Sequence, residues 1–456
     1  MRLRSDALRY DGGRFLLGGS PIRGVRLSRA AALRVSDGTL EVYDEVSARI
    51  AERLLDCDLA LPSGNAPALQ TDITVVVPVR DRHLELDRAL SALSAGGGVI
   101  VVDDGSARPN LTRLIASKHG ATFIALSRNR GPAAARNAAI GSVETRYVAF
   151  VDSDIQISLD QLAIAASAFG DNRVALISPR IRTFGLTPLG RIGRYDCAYS
   201  SLDLGPHSGL VRHGSRIPWL PSACMLVRRA DLDLERFDER LRVGEDVDLV
   251  WRLCARGRHV RYDASVIAHH AARTGIREWS SRKFAYGTSA APLAVRHGAA
   301  AAPVVLSGRV AVAATAVLFR KHWSVGIGLA LMLPTWRTMR RVLPDSAKSL
   351  ATTMTSKALG NGMCQLSSLV LRHWWPITAA MAPFSRTVRR LALTSLIVDA
   401  FASAAGEPVI RPLDLLLIRR LDDLVYGSGV WIGCIQERSL RALLPRSRRR
   451  SVPLMK

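Results

Sequence analysis

The sequence predicts an open α/β domain, preceded by a small hairpin-plus-helices module and followed by a helical, apolar C-terminal region. Three observations lead there. Short β-branched runs alternate with helix-like segments between about residues 70 and 287. Carboxylates recur where those runs end. Beyond residue 288 the pattern changes to apolar stretches broken by basic clusters.

Residues 1–69 read as the small module. "RFLLGGSPIRGVRLS" has the alternation of a hairpin, with Gly18, Gly19 and Pro21 as turn formers. "SRAAAL" and "EVYDEVSARIAERLLD" read as helices, the second with Val42, Val46, Ile50 and Leu54 at helical spacing. "LPSGNAPALQ", rich in Pro and Gly, reads as a linker.

Residues 70–287 carry the alternation. "ITVVVPV", "GVIVVDD", "TFIALSR", "YVAFVDSD" and "VALISPRI" are continuous apolar runs. Such runs suit strands buried on both faces of a largely parallel sheet, and "PAAARNAAIGS" supplies a helix between two of them. A sheet of this kind binds its ligand at the carboxyl ends of its strands.

Residues 288–456 are different. "AAAPVVLSGRVAVAATAVLF", "VGIGLALML", "WWPITAAMAPF" and "LALTSLIVDAFASAA" are apolar, but each is short or carries Arg309, Arg372 or Asp399. A spanning helix needs about 20 uninterrupted apolar residues. Arg320-Lys321, Arg337, Arg340-Arg341 and "RSRRR" flank these stretches. The pattern predicts helices lying in or partly crossing a membrane with basic flanks toward the cytoplasm. A buried helical subdomain with solvated basic faces is the alternative.

The 456 residues include 63 Lys and Arg against 39 Asp and Glu, a formal charge of +24. That surplus favours anionic partners: nucleic acid, phosphorylated substrates or an acidic leaflet. Nucleic acid is disfavoured, because aromatic residues are 6% of the chain and are not interleaved with the basic ones. The six scattered cysteines form no C-x-x-C pair, which argues against a zinc ribbon or a disulfide framework and for a reducing compartment. "MRLRSDALRYDGGRF" lacks the apolar core of a signal peptide.

Asp81, Asp103-Asp104 and Asp152 with Asp154 follow three predicted strands. Any one alone reads as a turn residue or helix cap. Together they place several carboxylates on one rim, where they repel unless a cation or ligand uses them. In "DSD", residues i and i+2 can face one side and hold Mg²⁺ or Mn²⁺, which would also take diphosphate oxygens. "RNRGPAAARN" opens a helix with Pro132 in its first turn and Arg136 one turn later, an anion site or a capped helix with a solvated arginine. In "GEDVDLVWRL", Glu245, Asp246 and Asp248 complement a helix dipole or supply a general base. "VIAHHAART" sets His269 and His270 after another strand, where the pair could give one metal ligand. Arg277, Arg282, Lys283 and Tyr286 in "REWSSRKFAYG" read as a phosphate clamp or a basic face.

In order, "VVVPVRD", "VIVVDDGS", "NRGPAAARN", "VAFVDSD" and "GEDVDLVWRL" resemble the family 2 inverting glycosyltransferases of the GT-A fold, over about residues 71–272. The resemblance implies a Rossmann-like nucleotide-diphospho-sugar transferase with a divalent metal cofactor. It implies that Pro78, Arg80 and Asp81 line the nucleotide end, that Asp104 meets the uracil, and that Arg136 and Asp152 serve the nucleotide sugar. Asp152 and Asp154 would be the metal- and diphosphate-binding pair, to which the histidine pair adds His269 as a candidate metal ligand, and Asp246 would be the catalytic base. Asp81 stands where many relatives carry asparagine, and the Q-x-x-R-W motif of processive synthases is absent. "VPVRDR", "GEDVDLVWRL", "SSRKFAYG" and the N-terminal module further resemble the mycofactocin-system glycosyltransferases, membrane-associated actinobacterial enzymes. That resemblance implies UDP-glucose as donor, a peptide-derived redox cofactor as acceptor, β-linked products, and a catalytic domain on the cytoplasmic side of the cell membrane. Residues 1–61 are similar to peptide-recognition modules that bind an extended peptide as an added strand. A glycosyltransferase acting on a lipid-linked or cell-wall glycan is the nearest rival; a nucleic-acid- or peptide-binding scaffold is a remoter one.

Overall fold

Continuous apolar runs build the central sheet. In the computed structural model, which describes residues 1–63, 69–93, 98–185, 189–404 and 410–447, its strands are β1 (Ile73–Val79), β2 (Gly98–Asp103), β3 (Thr122–Ala125), β4 (Tyr147–Val151), β5 (Ile155–Gln156), β6 (Val174–Phe184), β7 (Gly209–Val211), β8 (Cys224–Arg228) and β9 (His259–Ala271). The order is β5-β9-β6-β8-β4-β1-β2-β3, with β7 paired to β9. β4, β1, β2 and β3 run parallel. β8 is antiparallel to both β4 and β6, and β6 is parallel to β9. The fold is thus the mixed, mostly parallel α/β sheet that the sequence predicts.

Parallel neighbours need crossovers. These include α1 (His83–Leu93), α2 (Pro109–Lys118) and α3 (Pro132–Ile140). Leu86 and Leu90 of α1 join Ile73, Val75 and Val77 in the core, each fully buried aliphatic side chain stabilising the fold by about 1.5–3 kcal/mol. α3 packs on β1 and β2. Its buried side is Ala133, Ala134, Ala135 and Ala139, which lets the helix lie close to the sheet. The parallel strands therefore deliver β1, β2 and β4 to one rim.

The strand β8 has no counterpart among the predicted runs. "CMLVR" has only four apolar residues, and periodicity cannot separate so short a buried run from a helical turn. β9 joins "RHVRY" and "VIAHH" in one 13-residue strand, with an irregular register opposite Pro179/Arg180. His269 and His270 therefore lie within a strand, not after it.

By packing, the chain divides into two units: Met1–Ala7, Leu17–Arg23 and Leu33–Thr274, and Leu8–Leu16, Gly24–Ala32 and Gly275–Lys456. Residues 1–69 contribute to both. Within them, strands Phe15–Gly18 and Arg23–Arg26 form the predicted hairpin, joined by Leu8–Tyr10. The first predicted helix is Arg29–Arg34, and the second starts at Glu45, not Glu41, because Asp44 and Ser47 cap each other there; Val42 is left outside and exposed.

The second unit is helical, including α5 (Ile276–Thr288), α6 (His322–Val342), α7 (Arg386–Ala404) and α8 (Pro412–Gln436). α5 packs on α8 at backbone distance: a Cβ on Gly287 would lie 2.2 Å from the Tyr426 carbonyl oxygen, and one on Gly429 2.2 Å from that of Phe284. Two of the charges that interrupt the apolar runs, Arg372 and Asp399, are paired, whereas Arg309 is exposed. Asp399 accepts from Arg419 (2.8 Å) and from Arg420, Arg372 donates to Asp423 (2.8 Å), and Lys283 donates to Asp422 (3.0 Å). Lys283 is thereby buried instead of clamping a phosphate. Among the described residues no helix is long and apolar enough to cross a membrane. The middle of "LPSGNAPALQ" and the end of "RSRRR" lie outside the described residues.

Candidate active site

Two loops close the rim beyond β1 and β2. Pro78 is half-buried near the end of β1, and Arg80 is exposed, 3.6 Å from Asp81. Asp81 has φ 57°, in the left-handed region that aspartate and asparagine tolerate better than most residues. Its N–H donates to Ser106 Oγ (3.0 Å) and its Oδ1 accepts from the Ala107 N–H (2.7 Å). Asp81 thus clasps the loop that follows β2. In that loop Gly105 has φ 69°, and a Cβ there would stand 2.5 Å from the Asn129 nitrogen.

Asp104 is buried, with one carboxylate oxygen accepting from the Arg130 N–H (2.7 Å) and the other from the Gly131 N–H (2.8 Å). It sits on the positive end of α3 and ties the second loop to that helix. Asp103 accepts from the Ser106 N–H (2.7 Å) through Oδ1, while its Oδ2 is buried without a hydrogen-bond partner.

The "DSD" turn joins β4 to β5. The Asp152 N–H donates to the Ala223 carbonyl (2.8 Å), extending the β4–β8 pairing, and the Ile155 N–H donates back to Asp152 O (3.0 Å), closing the turn. Asp152 Oδ1 accepts from Arg136 Nη2 (2.7 Å). Asp154 Oδ2 accepts from Arg82 Nη1 and lies 3.4 Å from His270 Nε2. Burial would raise the Asp154 carboxyl, but the His270 hydrogen bond and the charges of His270, Arg82 and Arg273 outweigh it and hold the group below the usual carboxylate range.

Arg136 is not the open anion site that its place near a helix start suggests. It is 2% exposed, sandwiched between Asp152 and Glu245 Oε1 (2.8 Å), with its guanidinium 5.4 Å over the Phe237 ring. Its α3 position points it under the sheet rim, so it orients Asp152 from behind.

The three acids of "GEDVD" separate in α4 (Glu245–Ala255). Gly244, at φ 85°, takes the left-handed N-cap that sets the helix going. Glu245 is buried and joins Arg136; burial and the neighbouring Asp246 charge push its carboxyl up to about 7 against the pull of Arg136. Asp248 pairs within the helix to Arg252 (2.8 Å). Asp246 is half-buried. Its Oδ2 accepts from the Ser222 N–H (3.0 Å) and its Oδ1 from the Val247 N–H (2.8 Å). Burial raises its carboxyl, these two donors and Arg136 oppose the rise, and the Asp152 charge adds to it.

The structure brings His270, not His269, to the aspartates. Strand neighbours face opposite sides. β5 pairs with β9 so that Ile155 opposes His270 and Gln156 opposes His269. That register sets His270, 2% exposed, beside Asp154, while His269 is exposed against Phe184, 5.7 Å between ring centroids. Arg82, Arg273, whose Nη2 is 3.5 Å from His270 Nε2, and Ser222 complete the site. Of these the sequence signalled only Arg82, inside "VPVRDR".

The donor set fits a hard divalent cation. Asp154 Oδ2 and His270 Nε2 converge, and His270 Nδ1 is buried without a hydrogen-bond partner. Among the described residues no group of three or more His, Cys, Asp or Glu could hold a metal. One carboxylate suffices where substrate phosphates and water complete the shell, the usual arrangement for Mg²⁺, and the imidazole adds a ligand better suited to softer first-row ions.

Comparison with known proteins bears on the family of the chain. The family model for glycosyl transferase family 2 matches residues 74–230. The pre-mycofactocin glycosyltransferase of Mycobacterium tuberculosis is 38% identical over 96% of this chain and 95% of its own length. The succinoglycan biosynthesis protein ExoO of Rhizobium meliloti is 32% identical over 42% of this chain and 59% of its own. Among solved structures, mannosyltransferase PcManGT from Pyrobaculum calidifontis, in complex with GDP-Man and Mn²⁺, is 16% identical with TM-score 0.46, covering 85% of this chain and 94% of that one. With a family match over the strand-end aspartates and a relative similar along almost the whole of both chains, this protein belongs to the family 2 glycosyltransferases, alongside the pre-mycofactocin glycosyltransferases.

Proposed function

We propose that this glycosyltransferase moves glucose from UDP-glucose onto a peptide-derived redox cofactor, mycofactocin or its precursor, in one inverting, metal-dependent displacement that leaves β-linked units. The observation that carries the reading is Asp246. It is a carboxylate raised above its ordinary range, fixed by two backbone N–H groups, beside the cation-laden Asp152–Asp154 turn. The acceptor and donor follow the full-length resemblance to the pre-mycofactocin glycosyltransferase.

In this reading the acceptor hydroxyl gives its proton to an Asp246 oxygen while its own oxygen bonds to the anomeric carbon. The bond from that carbon to the diphosphate breaks, and its electron pair leaves on the diphosphate oxygen. A single displacement inverts the centre. Ser222 and Val247 keep the base from rotating away. Arg136 holds Asp152 in place, and Asp81 and Asp104 fix the loops on which Pro78 and Arg80 meet the nucleotide. Asp154 and His270 would hold Mg²⁺ or Mn²⁺, which supplies positive charge against the departing diphosphate. The helical unit would attach the enzyme to the anionic cytoplasmic face of the cell membrane. Its outward apolar side chains, Trp323, Leu329, Phe384 and Phe401 among them, support that placement.

The test is mass spectrometry of the enzyme with UDP-glucose, Mn²⁺ and the peptide-derived acceptor. A hexose added to the acceptor, β by NMR, is the expected outcome. Glucose transfer only to a lipid-linked glycan, or use of another nucleotide sugar alone, would sink it.

A further inference from the structure

Asp154 Oδ2 is approached by two groups that a divalent cation would have to contend with. One is His270 Nε2, a potential ligand. The other is Arg82 Nη1, a cation that donates to the same oxygen. An ion bridging Asp154 and His270 needs the lone pairs that the guanidinium occupies, and two positive groups on one oxygen repel.

The two arginines at the turn differ in exposure. Arg136 is 2% exposed and locked between two carboxylates. Arg82 is 34% exposed on a carboxylate that is itself 14% exposed, so solvent reaches this pair as it does not reach Arg136. Arg82 also immediately precedes α1, and the Leu86 N–H donates to its carbonyl. A guanidinium leaving Asp154 would remain beside the positive end of that helix, where an anion is welcome.

Resting on the donor and metal reading above, we propose that Arg82 is an exchangeable counter-ion. It neutralises Asp154 until the metal and donor arrive, yields the carboxylate to the metal, and then donates to the donor's diphosphate. No covalent bond changes in this exchange. Arg82 is a competitor of the metal in the empty site and a ligand of the diphosphate in the loaded one.

The two roles predict opposite effects of one substitution. Mn²⁺ binding to the full chain is followed by the EPR signal of free Mn²⁺, and UDP binding by calorimetry at saturating Mn²⁺. Arg82→Gln should bind Mn²⁺ alone about three- to tenfold tighter, a partly exposed ion pair having been removed, and bind UDP about tenfold or more weakly. Arg82→Lys should restore Mn²⁺ affinity toward wild type. Arg88→Gln, which removes an exposed charge from α1, should change neither. Weaker or unchanged Mn²⁺ binding by Arg82→Gln, or unchanged UDP binding, overturns the proposal while wild-type binding leaves the donor and metal reading standing. If wild type binds neither Mn²⁺ nor UDP, that reading fails first and the exchange falls with it.

Discussion

Arg136 donates to Asp152 at 2.7 Å and to Glu245 at 2.8 Å, and Arg136 and Glu245 are buried behind the rim that carries Asp152. Removing the cation leaves two carboxylates facing each other in a poorly solvated place. Arg136→Met should therefore cost about 3–5 kcal/mol in chemical denaturation. Glu245 gives a pH signature. Its carboxyl is pushed from the ordinary 4.5 to about 7 on folding, so the folded chain binds that proton more tightly than the unfolded chain does. The stability it contributes is full below 4.5 and is lost as pH rises through about 7. The loss is at most about 1.4 kcal/mol per pH unit. Denaturation curves across that window should flatten in Glu245→Gln, and an unchanged slope would contradict the assignment. For the chemistry itself, Asp246→Asn should keep UDP binding and lose about 10²–10⁴-fold in transfer rate, measured with labelled sugar. At this scale the sequence shows the acids well, because Asp104, Asp152, Asp154 and Asp246 interrupt apolar runs or open a helix. It does not show which basic groups meet them. Arg136 reads as a solvated helix residue until packing buries it, and His269 and His270 are indistinguishable until the β5–β9 register chooses between their faces.

The parallel strands β1, β2 and β4 are legible because each is a continuous β-branched run, and a buried strand permits little else. β8 is not, because its five residues derive their strand character from neighbours on both sides, β4 and β6. The helices of the second unit were visible as apolar stretches, but their pairing was not. Asp399 and Arg372 look like interruptions of a membrane segment in sequence, whereas in the fold each meets an opposite charge from α8. The close contact of α5 and α8 depends on glycine, and this can be tested against an internal control. Gly429→Ala puts a methyl 2.2 Å from the Phe284 carbonyl oxygen, so the helices must part. A loss of about 1–3 kcal/mol is expected. Gly360 lies in the exposed part of helix Leu350–Ser368 with nothing within 4 Å of its Cβ position. Gly360→Ala should raise stability by about 0.5–1 kcal/mol. Equal effects of the two would remove the argument for backbone contact.

For the molecule as a whole, the proposed membrane attachment would draw separately on the net charge of +24 and on the outward apolar side chains of the helical unit. On α6, Ser324, Gly328 and Met332 form the buried side at four-residue spacing, while Val325, Leu329 and Leu333 form an exposed one. Ser324 and Gly328 thus face inward beside Met332 while the aliphatic residues face outward, against the pattern of an ordinary amphipathic helix in water. Exposed Arg337 and Arg340 follow on the same helix. α7 repeats the outward pattern with Leu393, Ile397 and Phe401. Charge alone would give binding to anionic vesicles that disappears when the Debye length falls from about 10 Å in 0.1 M salt to about 3 Å in 1 M salt. Apolar insertion adds a fraction that salt leaves behind, since burying hydrocarbon does not depend on screening. The full chain should therefore float with vesicles containing phosphatidylserine or phosphatidylglycerol, bind neutral vesicles less, and retain part of its binding at 1 M salt. Leu329→Asp with Leu333→Asp should abolish that retained part while sparing UDP binding by the catalytic unit. Complete release of the unmodified chain by salt would assign attachment to charge alone, and an unaltered retained fraction in the double variant would move the contact away from α6.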